Sequence, residues 1–221
     1  MNRRNFSQSV TAGAAAWVAA LGGAAGVPRA LAQGGPVEGV HYVKLSQPAP
    51  VSAPTGKIEV VEFFWYGCPH CNALEPALEA WIKRLPADVA FRRVPVAFSA
   101  THESHQKLFY GLEAMGQLEA MHRRIFAAIH TQQQRLDREA DQLAFLKAQG
   151  VDEAKFLEMT KSFSVQTKMR QAKQLSSAYK IDGVPAIGVA GRFYTAGSLA
   201  GDNQRALAVA DFLIDRARKG A

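Results

Sequence analysis

The sequence predicts an α/β protein in which helices flank a central mixed β-sheet and a large all-helical segment is inserted. A strand, a helix and a second strand follow one another between residues 58 and 96. Residues 99–178 show only helical periodicity, with apolar side chains three or four positions apart. Strand character returns between residues 186 and 195, ahead of an amphipathic C-terminal helix. The second half of the chain therefore completes the sheet that the first half begins.

The first part of the sheet is predicted from two apolar runs on either side of a helix. Residues 58–64 are rich in β-branched and aromatic side chains and end at a turn, as a buried strand does. Pro69 suits the first turn of a helix, and Pro86 ends the apolar pattern that follows. Residues 89–96 alternate as a second strand. Because a helix connects the two strands, we expect them to be parallel.

The remaining elements follow from capping residues and turn signals. Three predicted helices of the inserted segment open on a residue whose side-chain oxygen can cap free backbone N–H groups: 137–149, 152–161 and 164–179. A hairpin is expected from residues 186–189 and 192–195. Residues 42–45 are short enough for an edge strand.

The first 32 residues are typical of an export signal. A weakly apolar run at residues 11–27 precedes Ala-Leu-Ala at residues 30–32, the small-residue pattern of a cleavage site. Residues 3–6, Arg-Arg-Asn-Phe, resemble a twin-arginine signal, with a general secretory signal as the alternative. The run is too short and too rich in alanine and glycine for a membrane anchor. We therefore predict cleavage after Ala32 and no stable membrane insertion afterwards.

The composition is that of a globular protein, with 48% hydrophobic and 20% charged residues. The formal net charge of +7 falls to +4 without residues 1–32, since three arginines and no acid are lost. Basic residues alternate with acids, and the sequence has no dense lysine and arginine block with interleaved aromatic residues. We therefore expect no nucleic-acid binding.

Cys68 and Cys71 are the only two cysteines of the chain, so the pair belongs to no larger disulfide framework. They lie in a Cys-Pro-His-Cys motif at the predicted junction of strand and helix. The free N–H groups of a helix N-terminus and the neighbouring His70 should lower the pKa of Cys68. Cys71 lies one turn further along and should be less exposed. We predict an ordered redox pair, in which Cys68 attacks, Cys71 resolves and the disulfide form is oxidising.

A metal site is the weaker interpretation of these residues. A closed structural zinc site needs four ligands, and Cys68, His70 and Cys71 supply at most three. His102 and His105 lie three residues apart on one predicted helix, without a carboxylate cluster beside them in the sequence. Packing alone is weaker still, because buried structural cysteines do not need this spacing. We predict no metal, and no cofactor other than the redox-active disulfide.

Several motifs together resemble the DsbA family of periplasmic thiol:disulfide oxidoreductases. They are Glu-Phe-Phe before the cysteines, the Cys-Pro-His-Cys motif, Leu-Glu after it, the long helical stretch, and Gly-Val-Pro-Ala at residues 183–186. The resemblance covers essentially the whole chain after residue 32 and implies a thioredoxin-like fold. Residues 33–98 and 179–221 would form the thioredoxin-like domain, and residues 99–178 the helical insertion.

The resemblance also implies that Cys-Pro-His-Cys is the catalytic motif and that residues from late in the chain border it. Pro69 and His70 belong to this motif, between the two cysteines. In the family the late Val-Pro bond is cis and lies beside the active cysteines, so we expect a cis bond between Val184 and Pro185. The backbone of Val184 would then pair with an extended substrate segment.

Two acidic residues near the motif are further candidates. The resemblance implies that Glu62 shuttles protons near Cys71, and an acid inside an apolar strand is itself a reason to expect a perturbed pKa. A water-facing carboxylate on an edge strand is the alternative for Glu62, because alternation does not say which face is wet. Glu75 lies one turn beyond the motif and is expected to support the site.

The predicted function is the oxidation of reduced exported polypeptides in the periplasm by the Cys68–Cys71 disulfide. The resemblance implies that a DsbB-like quinone-coupled membrane protein reoxidises the pair, and we expect a monomer. One alternative is a disulfide isomerase or reductase, which requires a dimerisation domain that residues 33–55 are too short to supply. Another is a non-catalytic, chaperone-like module that binds peptides near Val184 and Pro185.

Overall fold

A computed structural model describes residues 35–220, so the predicted export signal lies outside the described residues. The strands are β1 (Val43–Lys44), β2 (Ile58–Phe64), β3 (Val89–Pro95), β4 (Ala186–Val189) and β5 (Phe193–Ala196). The helices are α1 (Pro69–Ile82), α2 (Ala100–Ala114), α3 (Leu118–His130), α4 (Glu139–Ala148), α5 (Glu153–Lys161), α6 (Phe163–Ala178), α7 (Gly197–Ala200) and α8 (Asn203–Arg218). Within this part of the chain, none of the helices has the length and apolar character of a membrane span.

Strand β2 lies inside a five-stranded sheet of order β1-β5-β4-β2-β3. It pairs with β3 in parallel, as the connecting helix α1 predicts, and with β4 antiparallel on its other side. Strands β4 and β5 form the expected hairpin, and β1 is the short edge strand. The sheet is therefore mixed and flanked by helices, which confirms the predicted fold class.

Two hydrophobic clusters cover the sheet, and β2 contributes to both. The larger cluster joins Phe63 and Phe64 of β2 to helices of the predicted insertion, including Phe126 of α3. The smaller cluster joins Val60 of β2 to α1 and α8. Six of the seven residues of β2 are buried because both of its faces are covered by helices.

Two helices begin at residues other than those predicted. The sequence predicts a start at Ser164 for α6, but Ser162 is the N-cap, and its hydroxyl accepts a hydrogen bond from the N–H group three residues on. Both serines have a hydroxyl that can cap a helix, but it is Ser162 that has the extended backbone of an N-cap residue. Helix α4 begins at Glu139 instead of Asp137, because the backbone is still extended at the residue between them.

Helices α2 and α5 approach each other closely at Gly111. A Cβ atom at this position would lie 2.6 Å from the ring of Phe156 and 2.8 Å from the Thr160 methyl group. Phe156 is 1% exposed, whereas Phe163, at the start of α6, is 82% exposed. The two phenylalanines therefore offer a matched pair for testing the packing of this region.

We expect Phe156→Ala to lower the free energy of unfolding by about 3–5 kcal/mol, because the lost ring leaves a cavity between closely packed helices. Phe163→Ala removes the same side chain from an exposed position and should change that free energy by less than about 0.5 kcal/mol. Chemical denaturation measures both values. Equal losses in the two variants would contradict the described packing of α2 against α5.

Candidate active site

The two cysteines lie where β2 passes into α1. Cys68 is the N-cap residue of α1, with an extended backbone, and Pro69 is the first helical residue, where its missing N–H group is not needed. Both cysteines are free thiols. Cys68 is 7% exposed and Cys71 is 0% exposed, so the prediction that Cys71 is the less accessible thiol is confirmed.

The surroundings of the two sulfur atoms shift their pKa values in opposite directions. A hydrogen bond from the Cys71 thiol has the largest effect on Cys68, and with the backbone N–H groups of Cys71 and His70 it outweighs burial and lowers the pKa of Cys68 to about 6. Burial raises the pKa of Cys71 far above its ordinary range, and the negative charge at Cys68 adds to this. The thiolate of the reduced pair is therefore at Cys68.

Val184 and Pro185 form a wall beside Cys68, although they lie far from it in the sequence. The thiol of Cys68 donates a hydrogen bond to the carbonyl oxygen of Val184 at 3.3 Å. The Val184–Pro185 peptide bond is cis, as the resemblance implies. On the other side, the Asn203 side chain donates to the backbone oxygen of His70 at 3.2 Å. A cavity of about 760 Å³ borders His70, Val184, Pro185 and Asn203.

A cluster of buried charged side chains lies under this site. Arg93 of β3 bridges two fully buried carboxyl groups: its Nε donates to Oε2 of Glu62 at 3.1 Å, and its Nη2 donates to Oε2 of Glu75 at 3.1 Å. The second oxygen of Glu75 lies 3.2 Å from Nε2 of His122. Nδ1 of His122 lies 2.9 Å from the hydroxyl of Tyr66. The guanidinium of Arg93 therefore binds both carboxyl groups, and Glu75 also contacts His122.

Glu62 lies on an inner strand of the sheet and is fully buried, so the alternative of a water-facing edge carboxylate is wrong. Strands β3 and β4 cover both of its backbone edges, and helices cover both faces. Burial, with the neighbouring charge of Glu75, raises the pKa of Glu62 to about 8. When Glu62 is ionised, its charge adds to the burial that raises the pKa of Cys71. Its Oε1 atom makes no hydrogen bond to any residue that the structure describes.

Glu75 behaves in the opposite way to Glu62. Burial alone would raise the pKa of Glu75, but the hydrogen bond from His122, the charge of His122 when it is protonated and the positive charge of Arg93 outweigh burial and lower it. At neutral pH Glu75 is therefore ionised and Glu62 is protonated. Two neighbouring carboxyl groups whose environments separate their pKa values are an arrangement suited to acid–base chemistry.

The comparisons with known proteins agree with this geometry. A model of the DSBA-like thioredoxin domain matches residues 59–211, which is more than half of the chain. The chain belongs to the DsbA family. The thiol:disulfide interchange protein DsbA of Burkholderia cepacia is 44% identical over 194 residues, which cover 88% of this chain and 91% of that protein. The Pseudomonas aeruginosa protein of the same name is 44% identical over 183 residues, covering 83% of this chain and 86% of the relative.

Solved structures of DsbA proteins show the same fold. The crystal structure of Pseudomonas aeruginosa DsbA matches with a TM-score of 0.78 at 43% identity, covering 82% of this chain and 94% of that one. The DsbA of Xylella fastidiosa matches with a TM-score of 0.77 at 29% identity, covering 83% and 98%. The chain is thus a thiol:disulfide oxidoreductase with a thioredoxin-like fold. DsbA proteins act on reduced substrate proteins through a redox-active disulfide instead of a separate cofactor.

Sequence reasoning found the cysteines but missed Arg93, His122 and Tyr66. Arg93 lies directly opposite Glu62 in the parallel register of β2 and β3. An acidic residue in one apolar strand and a basic residue in the next could therefore have predicted this ion pair from the sequence. His122 is a histidine on the mostly apolar inner face of α3, and the sequence contains nothing that separates it from a packed core histidine.

The histidine pair on α2 has structural partners. His105 is buried, and its Nε2 lies 3.0 Å from the backbone oxygen of Arg135. The ring of His102 lies against Trp65, with 4.2 Å between the ring centroids. Across residues 35–220, the structure brings no three histidine, cysteine, aspartate or glutamate side chains together as a metal site would need.

We expect Cys68 of the reduced protein to titrate near pH 6, since hydrogen bonds to its sulfur lower its pKa to about 6. The rate of alkylation by iodoacetamide against pH reports this titration. Cys71→Ala removes the strongest of these hydrogen bonds and should move the midpoint towards the ordinary thiol value. An unchanged midpoint in Cys71→Ala would contradict the assigned cause.

The same pKa sets a pH dependence of stability. The folded pKa of about 6 lies below the ordinary value of 9.0, so ionisation of Cys68 stabilises the reduced protein. This contribution is complete above about pH 9 and is lost as the pH falls to about 6. Denaturation of reduced Cys68→Ser protein, measured over the same pH range, should lack it.

Proposed function

We propose that this DsbA-family protein is an oxidase that donates its Cys68–Cys71 disulfide to reduced exported polypeptides. The difference in pKa between the two sulfur atoms carries this proposal. A stabilised thiolate at Cys68 favours the reduced enzyme, and a couple whose reduced form is stabilised is a strong oxidant. The accessible and the buried thiol thereby have distinct roles.

The reaction consists of two thiol–disulfide exchanges. A substrate thiolate attacks the Cys68 sulfur, a mixed disulfide forms, and the Cys71 sulfur leaves with the electron pair of the broken bond. A second substrate thiolate then attacks the substrate sulfur of the mixed disulfide, and Cys68 leaves as a thiolate. The substrate has lost two electrons, and the enzyme dithiol has gained them.

Glu62 is suited to supply the proton that Cys71 takes up when it leaves. The pKa of Cys71 is raised far above its ordinary range by burial, so its sulfur cannot remain charged. Glu62, with a pKa of about 8, is protonated at neutral pH. Glu75 supports this state because its negative charge is one reason for the high pKa of Glu62.

The remaining candidates shape the site around Cys68. Pro69 begins the helix, and His70 contributes its backbone N–H group and its charge to the Cys68 thiolate. Val184 and Pro185 border the cavity beside the active-site motif, and an extended substrate segment would bind there. This arrangement supports a substrate-binding role for both residues.

Location and partners belong to the same proposal and rest on family membership. Residues 1–32 direct export to the periplasm and are then removed. The mature chain is a monomer with a thioredoxin-like domain of residues 33–98 and 179–221 and a helical insertion of residues 99–178. A DsbB-like, quinone-coupled membrane protein takes the two electrons from the reduced pair.

Cys68→Ser should abolish disulfide formation in a reduced, unfolded substrate protein, because the attacked sulfur is absent. The recovery of enzymatic activity by reduced ribonuclease measures this reaction. Cys71→Ser is the matched control. Loaded with glutathione at Cys68, it should still react once with a substrate thiol, whereas Cys68→Ser cannot be loaded. Disulfide formation by Cys68→Ser would contradict the oxidase function and favour a peptide-binding module.

A further inference from the structure

Two buried residues of the charged cluster have no part in the exchange steps. His122 of α3 contacts Glu75 through Nε2 and Tyr66 through Nδ1. Tyr66 is fully buried, and His122 is almost fully buried. His122 and Arg93 also border a second cavity, of about 690 Å³, whose lining differs from that of the cavity beside Cys68.

The hydrogen bonds of His122 determine its tautomer. Burial lowers the pKa of His122, so the ring is neutral at neutral pH. Glu75 is ionised and can only accept, so the ring proton is on Nε2, which donates to Oε1 of Glu75. Nδ1 is then an acceptor, and the hydroxyl of Tyr66, whose pKa is raised by burial, donates a hydrogen bond to it.

This donor makes the two carboxyl groups unequal. Arg93 is always charged and gives one N–H group to each of Glu62 and Glu75, at the same distance of 3.1 Å. Glu75 receives a further hydrogen bond from His122, whereas the second oxygen of Glu62 has no partner among the described residues. A carboxylate with more donors holds its charge more readily.

We propose that His122, oriented by Tyr66, is a positioning residue that decides which of the two buried carboxyl groups carries the proton. It holds the negative charge on Glu75 and so leaves the proton on Glu62, next to Cys71. This inference rests on the proposed role of Glu62 as the proton donor. It adds that α3, an element of the predicted helical insertion, controls the protonation of an acid on the sheet.

The other charged or titratable groups near this cluster come from several elements. They are Tyr66 before α1, Cys71 of α1, Arg93 of β3, and Glu119 and Arg123 of α3. Arg93 acts on both carboxyl groups, and Glu119 is close to His122 on its own helix. Of the two acids, His122 donates to Glu75 alone.

The test is the rate at which dithiothreitol reduces the disulfide of the intact protein, expressed per dithiothreitol thiolate and measured against pH. In the wild type this rate should fall with an inflection near pH 8, as Glu62 loses its proton. His122→Leu should lower the inflection by about one pH unit, which slows the reaction about fivefold at pH 8. His122→Gln keeps an amide donor for Glu75 without a titrating ring and should stay near the wild type.

Two further variants test whether the shift in His122→Leu arises from the lost hydrogen bond instead of from a disturbed fold. Tyr66→Phe removes only the hydroxyl that orients His122 and should lower the inflection in the same direction by a smaller amount. His105→Leu is the matched control, because it removes a buried imidazole whose Nε2 lies against a backbone oxygen instead of a carboxyl group. Its inflection should not change.

The outcomes separate this inference from the proposed function. If His122→Gln shifts the inflection as far as His122→Leu, the histidine acts through its own charge and the inference is overturned. Unchanged inflections in His122→Leu and Tyr66→Phe also overturn it. If Glu62→Gln keeps the wild-type pH profile, Glu62 is not the donor, and the proposed role of Glu62 fails together with the inference. If the inflection disappears in Glu62→Gln and moves to lower pH in His122→Leu, the result supports both the proposed role of Glu62 and the inference about His122.

Discussion

The Cys68 sulfur accepts hydrogen bonds from the Cys71 thiol and from the backbone N–H groups that open α1. Because these donors favour a negative charge at Cys68, the neighbouring sulfur of Cys71 has to stay protonated. Cys71 is buried against the sheet and cannot take its proton directly from solvent. The proposed oxidation therefore needs an acid near the cysteines, and we propose Glu62 for that role.

Burying Glu62 creates a further requirement, since an ionised carboxyl group without partners would destabilise the fold. Arg93 stabilises an ionised Glu62 only in part, because the same guanidinium also donates to Glu75. The cluster is close to neutral only if one of the two acids keeps a proton. The hydrogen bond from His122 to Glu75 stabilises the negative charge on Glu75 instead of on Glu62. Hydrogen bonds thus link the strand beneath the redox pair to α1 and to the inserted helix α3.

The sequence predicted the features that depend on local patterns. The strand–helix–strand unit, the hairpin and the ordered cysteine pair follow from apolar periodicity and from two cysteines at a helix start. Side-chain contacts between distant segments were harder to predict. Alternation did not reveal whether Glu62 faced water, because that depends on which strands and helices cover β2.

The resemblance to a family supplied what periodicity did not contain. Val184 lies 116 residues from Cys68 in the sequence, and only the family motif indicated that they meet. Neither the periodicity nor the resemblance indicated His122, since its contact with Glu75 joins two different helices. For Ser162 and Ser164 the capping chemistry was identical, and the backbone decided between them.

The equilibrium between the Cys68–Cys71 couple and glutathione tests the central claim most directly. The protein is incubated in a series of reduced and oxidised glutathione mixtures, and the fraction of reduced protein is measured after acid quenching. A stabilised Cys68 thiolate predicts a couple more oxidising than glutathione, so the protein should remain reduced even where oxidised glutathione is abundant. A potential as low as that of a cytosolic thioredoxin, about −270 mV, would contradict the account.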